Sequence, residues 1–137
     1  MKKLWYVDDD SEMIQAVKLM LQLLGYETRA FFDARKAAKL LLAGDQPDIL
    51  LLDINMPQVS GLDMLEFVRR RDRWKHLPVV MLSSEAADLQ VDAAMDLGAD
   101  AYVFKPVTID ELGAALQLAE AKRKTSNTAD RNLKDGE

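Results

Sequence analysis

Short apolar runs alternate along the chain with stretches whose apolar residues recur every three or four positions, and that alternation leaves few folds open. Leu4-Trp5-Tyr6-Val7 reads as a strand, with Trp5 packing in the core. In the helix that follows, Met13, Val17, Met20, Leu21 and Leu24 share one face, and Gly25 stops it. Glu27 to Phe31 mixes polar with apolar residues as an edge strand does. Asp33 then caps a helix carrying Ala37, Leu40 and Leu41 that ends near Gly44. Ile49-Leu50-Leu51-Leu52 is apolar on both faces, as a central parallel strand must be, and Ser60 opens a helix with Met64, Leu65 and Val68 inward. Val79-Val80-Met81-Leu82 repeats the central pattern, and a helix with Leu89, Ala93, Ala94 and Leu97 stops at Gly98. Ala101 to Phe104 makes a fifth strand. Thr108 with Glu111 three residues on is a capping box for a last helix using Leu112, Ala115, Leu116 and Ala119.

This pattern predicts an α/β protein, a doubly wound (βα)5 fold whose parallel sheet carries helices on both faces, because right-handed crossovers leave few other arrangements. The flavodoxin-like strand order 2-1-3-4-5 is expected: the second strand is the most polar, hence an edge, and the first and third are among the most apolar. One core suits 137 residues. Residues 1–123 are expected to form the domain. Residues 124–137, polar with a single leucine, read as a C-terminal tail or the start of a linker. Met1-Lys2-Lys3 runs directly into the first strand, too short an apolar run for a signal-peptide core, and no window approaches a membrane span. A cytoplasmic protein without a membrane partner is the expectation. The formal charge of -5 weighs against nonspecific binding to phosphate backbones through net charge alone, no direct nucleic-acid partner is expected, and the lack of cysteine removes disulfides, thiolate metal sites and thiol nucleophiles.

In an open α/β sheet functional groups gather where strands end at their carboxyl side. There the chain places Asp8, Asp9 and Asp10 after the first strand, Asp53 after the third, Ser83 and Ser84 after the fourth, and Lys105-Pro106 after the fifth. With the expected order these groups converge. Several carboxylates brought together repel one another, so the cluster implies a divalent cation. Hard oxygen ligands select Mg²⁺, Mn²⁺ or Ca²⁺ over zinc or copper, and a site with few protein carboxylates suits Mg²⁺ best. Lys105 adds a positive charge and Ser83 a hydroxyl donor, both suited to a phosphoryl group in transfer. Asp53 is the expected nucleophile, giving an acyl phosphate.

The motifs Val7-Asp8-Asp9-Asp10, Leu52-Asp53-Ile54-Asn55-Met56-Pro57 with Gly61, Leu82-Ser83-Ser84-Glu85, Gly98-Ala99-Asp100-Ala101-Tyr102 and Lys105-Pro106 appear in that order. From about Leu4 to about Glu120 the chain closely resembles the receiver domains of bacterial response regulators, including the single-domain chemotaxis regulators. The resemblance implies a phosphoacceptor switch of two-component signalling that takes a phosphoryl group from a histidine kinase or phosphotransfer protein onto Asp53. It implies that Asp9 and Asp53 bind Mg²⁺ directly, Asn55 through its backbone carbonyl, and Asp8 mainly through water. Ser83 takes the position whose hydroxyl moves onto the phosphoryl group, Tyr102 the aromatic switch, and Lys105 the partner of the phosphoryl oxygens. The bond from Lys105 to Pro106 is expected to be cis, and Asn55 and Glu85 sit where the family tunes dephosphorylation. Such a domain catalyses its own phosphorylation and dephosphorylation but is a switch rather than an enzyme. Its output would pass through the fourth helix, fifth strand and fifth helix to a target protein or a fused effector domain.

Taken singly, these residues have plainer roles. Asp9 could cap the first helix with Glu12 reciprocating, Ser83 or Ser84 could cap the fourth, and Lys105 could be a solvated lysine. Tyr102 alone could be a core aromatic, and His76, between Trp74 and Pro78, ordinary surface. Lys122-Arg123-Lys124 reads as a favourable basic end to the last helix. Two competing functions also use this fold class. A hydrolase of the haloacid dehalogenase type wants a second acid two residues after its aspartate, where this chain has Asn55. A flavin or nucleotide binder wants closely spaced glycines that are lacking.

Overall fold

The computed structural model describes residues 1–84 and 88–135, the side chains of 88, 89 and 125–135 excepted. Five strands, β1 (Lys2–Val7), β2 (Tyr26–Phe31), β3 (Ile49–Asp53), β4 (Val79–Ser83) and β5 (Ala101–Phe104), form one parallel sheet in the order β2-β1-β3-β4-β5. The helices between and after them are α1 (Ser11–Leu23), α2 (Ala34–Leu42), α3 (Gly61–Arg69), α4 (Asp88–Asp96) and α5 (Ile109–Asp135), with one 3₁₀ turn at Asp72–Trp74. Fold class and strand order are those the alternation predicts. Helix α5 continues to Asp135, so the described part of the polar tail is joined to the domain without a break in backbone conformation.

Side-chain alternation along the strands divides the core in two. Leu4, Tyr6, Ile49, Leu51, Val80, Leu82 and Val103 face α1 and α5, meeting Val17, Leu21, Leu112 and Leu116. Trp5, Val7, Leu50, Leu52, Val79 and Met81 face the other way, onto Ala37 and Leu41 of α2, Met64, Leu65 and Val68 of α3, and Ala94 of α4. Every residue of β3 and β4 is buried, which is why these strands are continuous apolar runs, whereas β2 alternates burial along its length as an edge does. Trp74 completes the second layer at 2% exposure, although its neighbours in sequence are charged.

Local chemistry fixes the helix starts that frame the strand ends. Ser60 and Asp63 make the reciprocal capping box of α3. Asp33 caps α2 and Thr108 accepts from the Glu111 N–H at the start of α5. The cap of α1 is Asp10, whose carboxylate accepts from the N–H groups of Glu12 and Met13. Asp9 therefore does not cap and is free for another role. No helix among the described residues is long and apolar enough to cross a membrane.

Candidate functional site

At the carboxyl rim of the sheet, β1 and β3 lie side by side and deliver their terminal carboxylates to the same place. Asp8, Asp9 and Asp53 each offer a carboxylate oxygen, and these oxygens all lie within 4.8 Å of one another. Asp8 and Asp53 are buried and Asp9 is exposed, so the cluster is open to solvent on one side only. Lys105, beyond β5, reaches back across β4, and its Nζ is 3.3 Å from Asp53 Oδ1. The Lys105-Pro106 bond is cis, and the Lys105 N–H donates to the Ser83 carbonyl at 2.8 Å. Ser83, the last residue of β4, is wholly buried beside Asp53 in the sheet, where Asp53 pairs with Leu82.

Burial, and next to it the negative charge of Asp8, pushes the Asp53 carboxyl up to about 6 against the opposing pull of Lys105. A carboxylate held at 2% exposure beside a second carboxylate is electrostatically unfavourable without a cation, and Lys105 supplies only part of the compensation. The donor set is all hard oxygen, with the exposed Asp9 at the solvent edge, and it fits Mg²⁺ with water completing the coordination. Asn55 stands at the same rim, its N–H 3.4 Å from Asp53 Oδ1.

Two supports of the site have physical roles that the motif positions did not convey. Tyr6, two residues before Asp8 and fully buried, donates its hydroxyl to Asp8 Oδ2, while the Asp10 N–H donates to Asp8 Oδ1 at 3.0 Å. Both Asp8 oxygens are therefore oriented, and burial together with Asp8 pushes the Tyr6 phenol up, keeping it a donor. The period-two pattern from Tyr6 to Asp8 was the available signal. Gly61 is the second. A Cβ built on it would stand 2.2 Å from the Asp53 carbonyl oxygen and 2.9 Å from Ile54 Cα, so only glycine lets α3 start this close to the nucleophile's own peptide.

Tyr102, half-buried on β5, has its hydroxyl buried without a hydrogen-bond partner among the described residues. Burial pushes this phenol up, the nearby Ser83 hydroxyl opposes the shift, and the Asp53 charge adds to it. The ring stacks at a tilt on Phe104, centroids 5.0 Å apart. It therefore lies between the rim and the groove of about 660 Å³ bounded by Met95, Phe104, Leu118 and Lys122 on α4, β5 and α5. Glu85 lies outside the described residues. His76, expected on ordinary surface, is half-buried and lines a groove with Lys2, Asp48 and Glu120 at the opposite, amino end of the strands. Asp100 is also far from the rim. Buried at the start of β5, it accepts from Arg69 Nη2 at 2.9 Å, Arg123 Nε at 2.5 Å and the Val79 N–H at 2.9 Å. It ties α3, β4 and α5 together, so Arg123 is an anchor within α5, which runs on to Asp135, rather than part of a basic helix end.

A five-stranded parallel sheet in this order, with acids from two strand ends, a hydroxyl and a lysine gathered at one rim, defines a receiver-type α/β domain. The response regulator receiver domain family matches residues 4–117, and the chain belongs to it. The chemotaxis protein CheY of Pseudomonas aeruginosa is 39% identical over 110 residues, covering 80% of this chain and 89% of that one. The transcriptional regulatory protein CpxR of Escherichia coli is 35% identical over 117 residues, covering 85% of this chain but 48% of that one. A crystal structure of a response regulator receiver domain protein from Clostridium thermocellum superposes with a TM-score of 0.81 at 26% identity, covering 91% of this chain and 98% of that one.

Proposed function

We propose that residues 1–123 are a phosphoacceptor receiver that takes a phosphoryl group onto Asp53 from a phosphohistidine of a sensor kinase or phosphotransfer protein. Residues 124–137 would then be a tail or the start of a linker. The observation that carries this is the meeting of the Asp8, Asp9 and Asp53 carboxylates within 4.8 Å, with the Lys105 ammonium 3.3 Å from Asp53. An Asp53 carboxylate oxygen attacks phosphorus in line, the P–N bond breaks, and the imidazole leaves with its electron pair and takes a proton from solvent. Water later cleaves the acyl phosphate, returning the carboxylate and inorganic phosphate.

Asp9 and Asp53 would hold Mg²⁺ directly, with the Asn55 carbonyl, and Asp8 through water. Bound there, the ion supplies charge neutralisation for the phosphoryl oxygens. Asp8, fixed by Tyr6 and the Asp10 N–H, orients water toward that position. Lys105 moves its charge from Asp53 to a phosphoryl oxygen, and the Ser83 hydroxyl donates to another. Displacement of Ser83 changes the space above Tyr102, whose hydroxyl is already next to it. The ring in turn bounds the α4–β5–α5 groove, so we assign the output to that face, toward a target protein or a fused effector domain. Asn55, and with it Glu85, would tune hydrolysis of the phosphoryl group. A location in the cytoplasm, with kinase and target, belongs to the same proposal. A haloacid dehalogenase-type hydrolase would need an acid where Asn55 presents an amide.

Incubation of the protein with acetyl phosphate and Mg²⁺, followed by intact mass measurement, tests this directly. The parent gains one phosphoryl group, and does so only with the metal; Asp53→Asn gains none. An equal adduct on both proteins removes Asp53 as the acceptor.

A further inference from the structure

Gln90, in the first turn of α4, places its carboxamide between two groups of the site. Its Nε2 donates to Asn55 Oδ1 at 3.2 Å, and its Oε1 accepts from Ser83 Oγ at 3.3 Å. The amide is matched at both ends, donor to acceptor and acceptor to donor. It joins the loop after β3 to the end of β4 through a residue that belongs to neither. The Ser83 hydroxyl also faces the Ser84 carbonyl, at 3.2 Å, so its one proton is committed to acceptors other than Asp53.

We infer that Gln90 is a latch: it holds the Ser83 hydroxyl and the start of α4 in the unphosphorylated arrangement and so sets how readily the phosphorylated one forms. This rests on Asp53 being the phosphoacceptor. A hydroxyl makes one strong donation at a time, so Ser83 can donate to a phosphoryl oxygen only by leaving Gln90 Oε1 and the Ser84 carbonyl. When it leaves, the Gln90 amide keeps Asn55 alone, and α4 loses one of the two hydrogen bonds that Gln90 makes to the rim. The Ser83–Gln90 bond of the bridge therefore favours the unphosphorylated state, and by linkage that preference weakens binding of anything that recruits Ser83. Gln90 is a positioning residue in this scheme, acting through Ser83. One neutral hydrogen bond biases such an equilibrium roughly two- to tenfold.

The test uses the full chain with Mg²⁺ and beryllofluoride, a tetrahedral phosphoryl mimic, titrated by backbone NMR shifts near Tyr102. Gln90→Met keeps the length and apolar stem of the side chain but has no amide, and Gln90→Ala removes both. Both variants are expected to bind beryllofluoride roughly two- to tenfold more tightly than the parent, with the affinity for Mg²⁺ alone unchanged. In a Ser83→Ala background the same Gln90 changes should have no effect, since there is no hydroxyl left to hold. A merely packing role would move Gln90→Ala but not Gln90→Met, and would persist without Ser83. Equal affinity for Gln90→Met and the parent, or a gain that survives in Ser83→Ala, overturns the latch. A parent that takes up no beryllofluoride overturns the phosphoacceptor assignment itself, and the latch with it.

Discussion

Asp53→Asn should make the metal-free protein more stable at neutral pH, although it removes an ion pair with Lys105. The reason is the carboxyl's position, displaced from 3.8 to about 6 by burial and by Asp8. A carboxyl raised in the folded state favours folding while it is protonated. That contribution is complete below about pH 4 and is lost as pH rises through about 6. At about 1.4 kcal/mol per pH unit, ionised Asp53 costs the folded state roughly 3 kcal/mol at pH 7.5. Its side chain is 2% exposed, so solvent screening removes little of this. Asparagine keeps the shape without the charge. The variant should gain roughly 2 to 3 kcal/mol at pH 7.5 in chelator, on the order of 10 °C in Tm for a domain of this size. The assay is urea unfolding of both proteins from pH 4 to pH 8, with EDTA and then with Mg²⁺. The gap between them should shrink toward zero near pH 4. Mg²⁺ at a hundredfold excess over Kd should stabilise the parent by about 3 kcal/mol and the variant much less, closing the gap again at pH 7.5. An Asp53→Asn protein no more stable than the parent at pH 7.5 in EDTA, or a difference constant across pH, would refute the electrostatic reasoning.

Gly61→Ala should cost roughly 1 to 3 kcal/mol, because its methyl must displace the Asp53 carbonyl. Phosphorylation by acetyl phosphate should slow in the same protein even where it is fully folded, and an unchanged rate would show that the close approach does not position the nucleophile. Asp100→Ala leaves the half-buried Arg69 and Arg123 against each other without their carboxylate and should cost roughly 2 to 4 kcal/mol. Chemical denaturation measures the loss. Arg123→Ala, by contrast, leaves Asp100 paired with Arg69 and should cost less; equal costs would argue against Asp100 as the hub.

Sequence alone determined the sheet, its order and the members of the acidic site. β3 and β4 are buried on both faces, so their composition announces central parallel strands, and each strand end then names the residues at the rim without any coordinates. Asp8, Asp53, Ser83 and Lys105 were legible because they stand at or just past strand ends, where the backbone leaves little freedom of placement. Tertiary structure decided what sequence spacing cannot encode. The plainer alternative, Asp9 as the helix cap, was settled only by the path of α1, which makes Asp10 the cap and leaves Asp9 in the cluster that the family resemblance implied for it. Gln90 lies on an amphipathic helix where a polar residue reads as solvent-facing, and its reach to Asn55 and Ser83 depends on how α4 sits over two loops. Asp100 with Arg69 and Arg123, and Tyr6 with Asp8, likewise exist only as pairings across or along packed elements. Periodicity reports which side of an element is buried; side-chain partners depend on the distances between elements, and those are fixed only once the layers are packed.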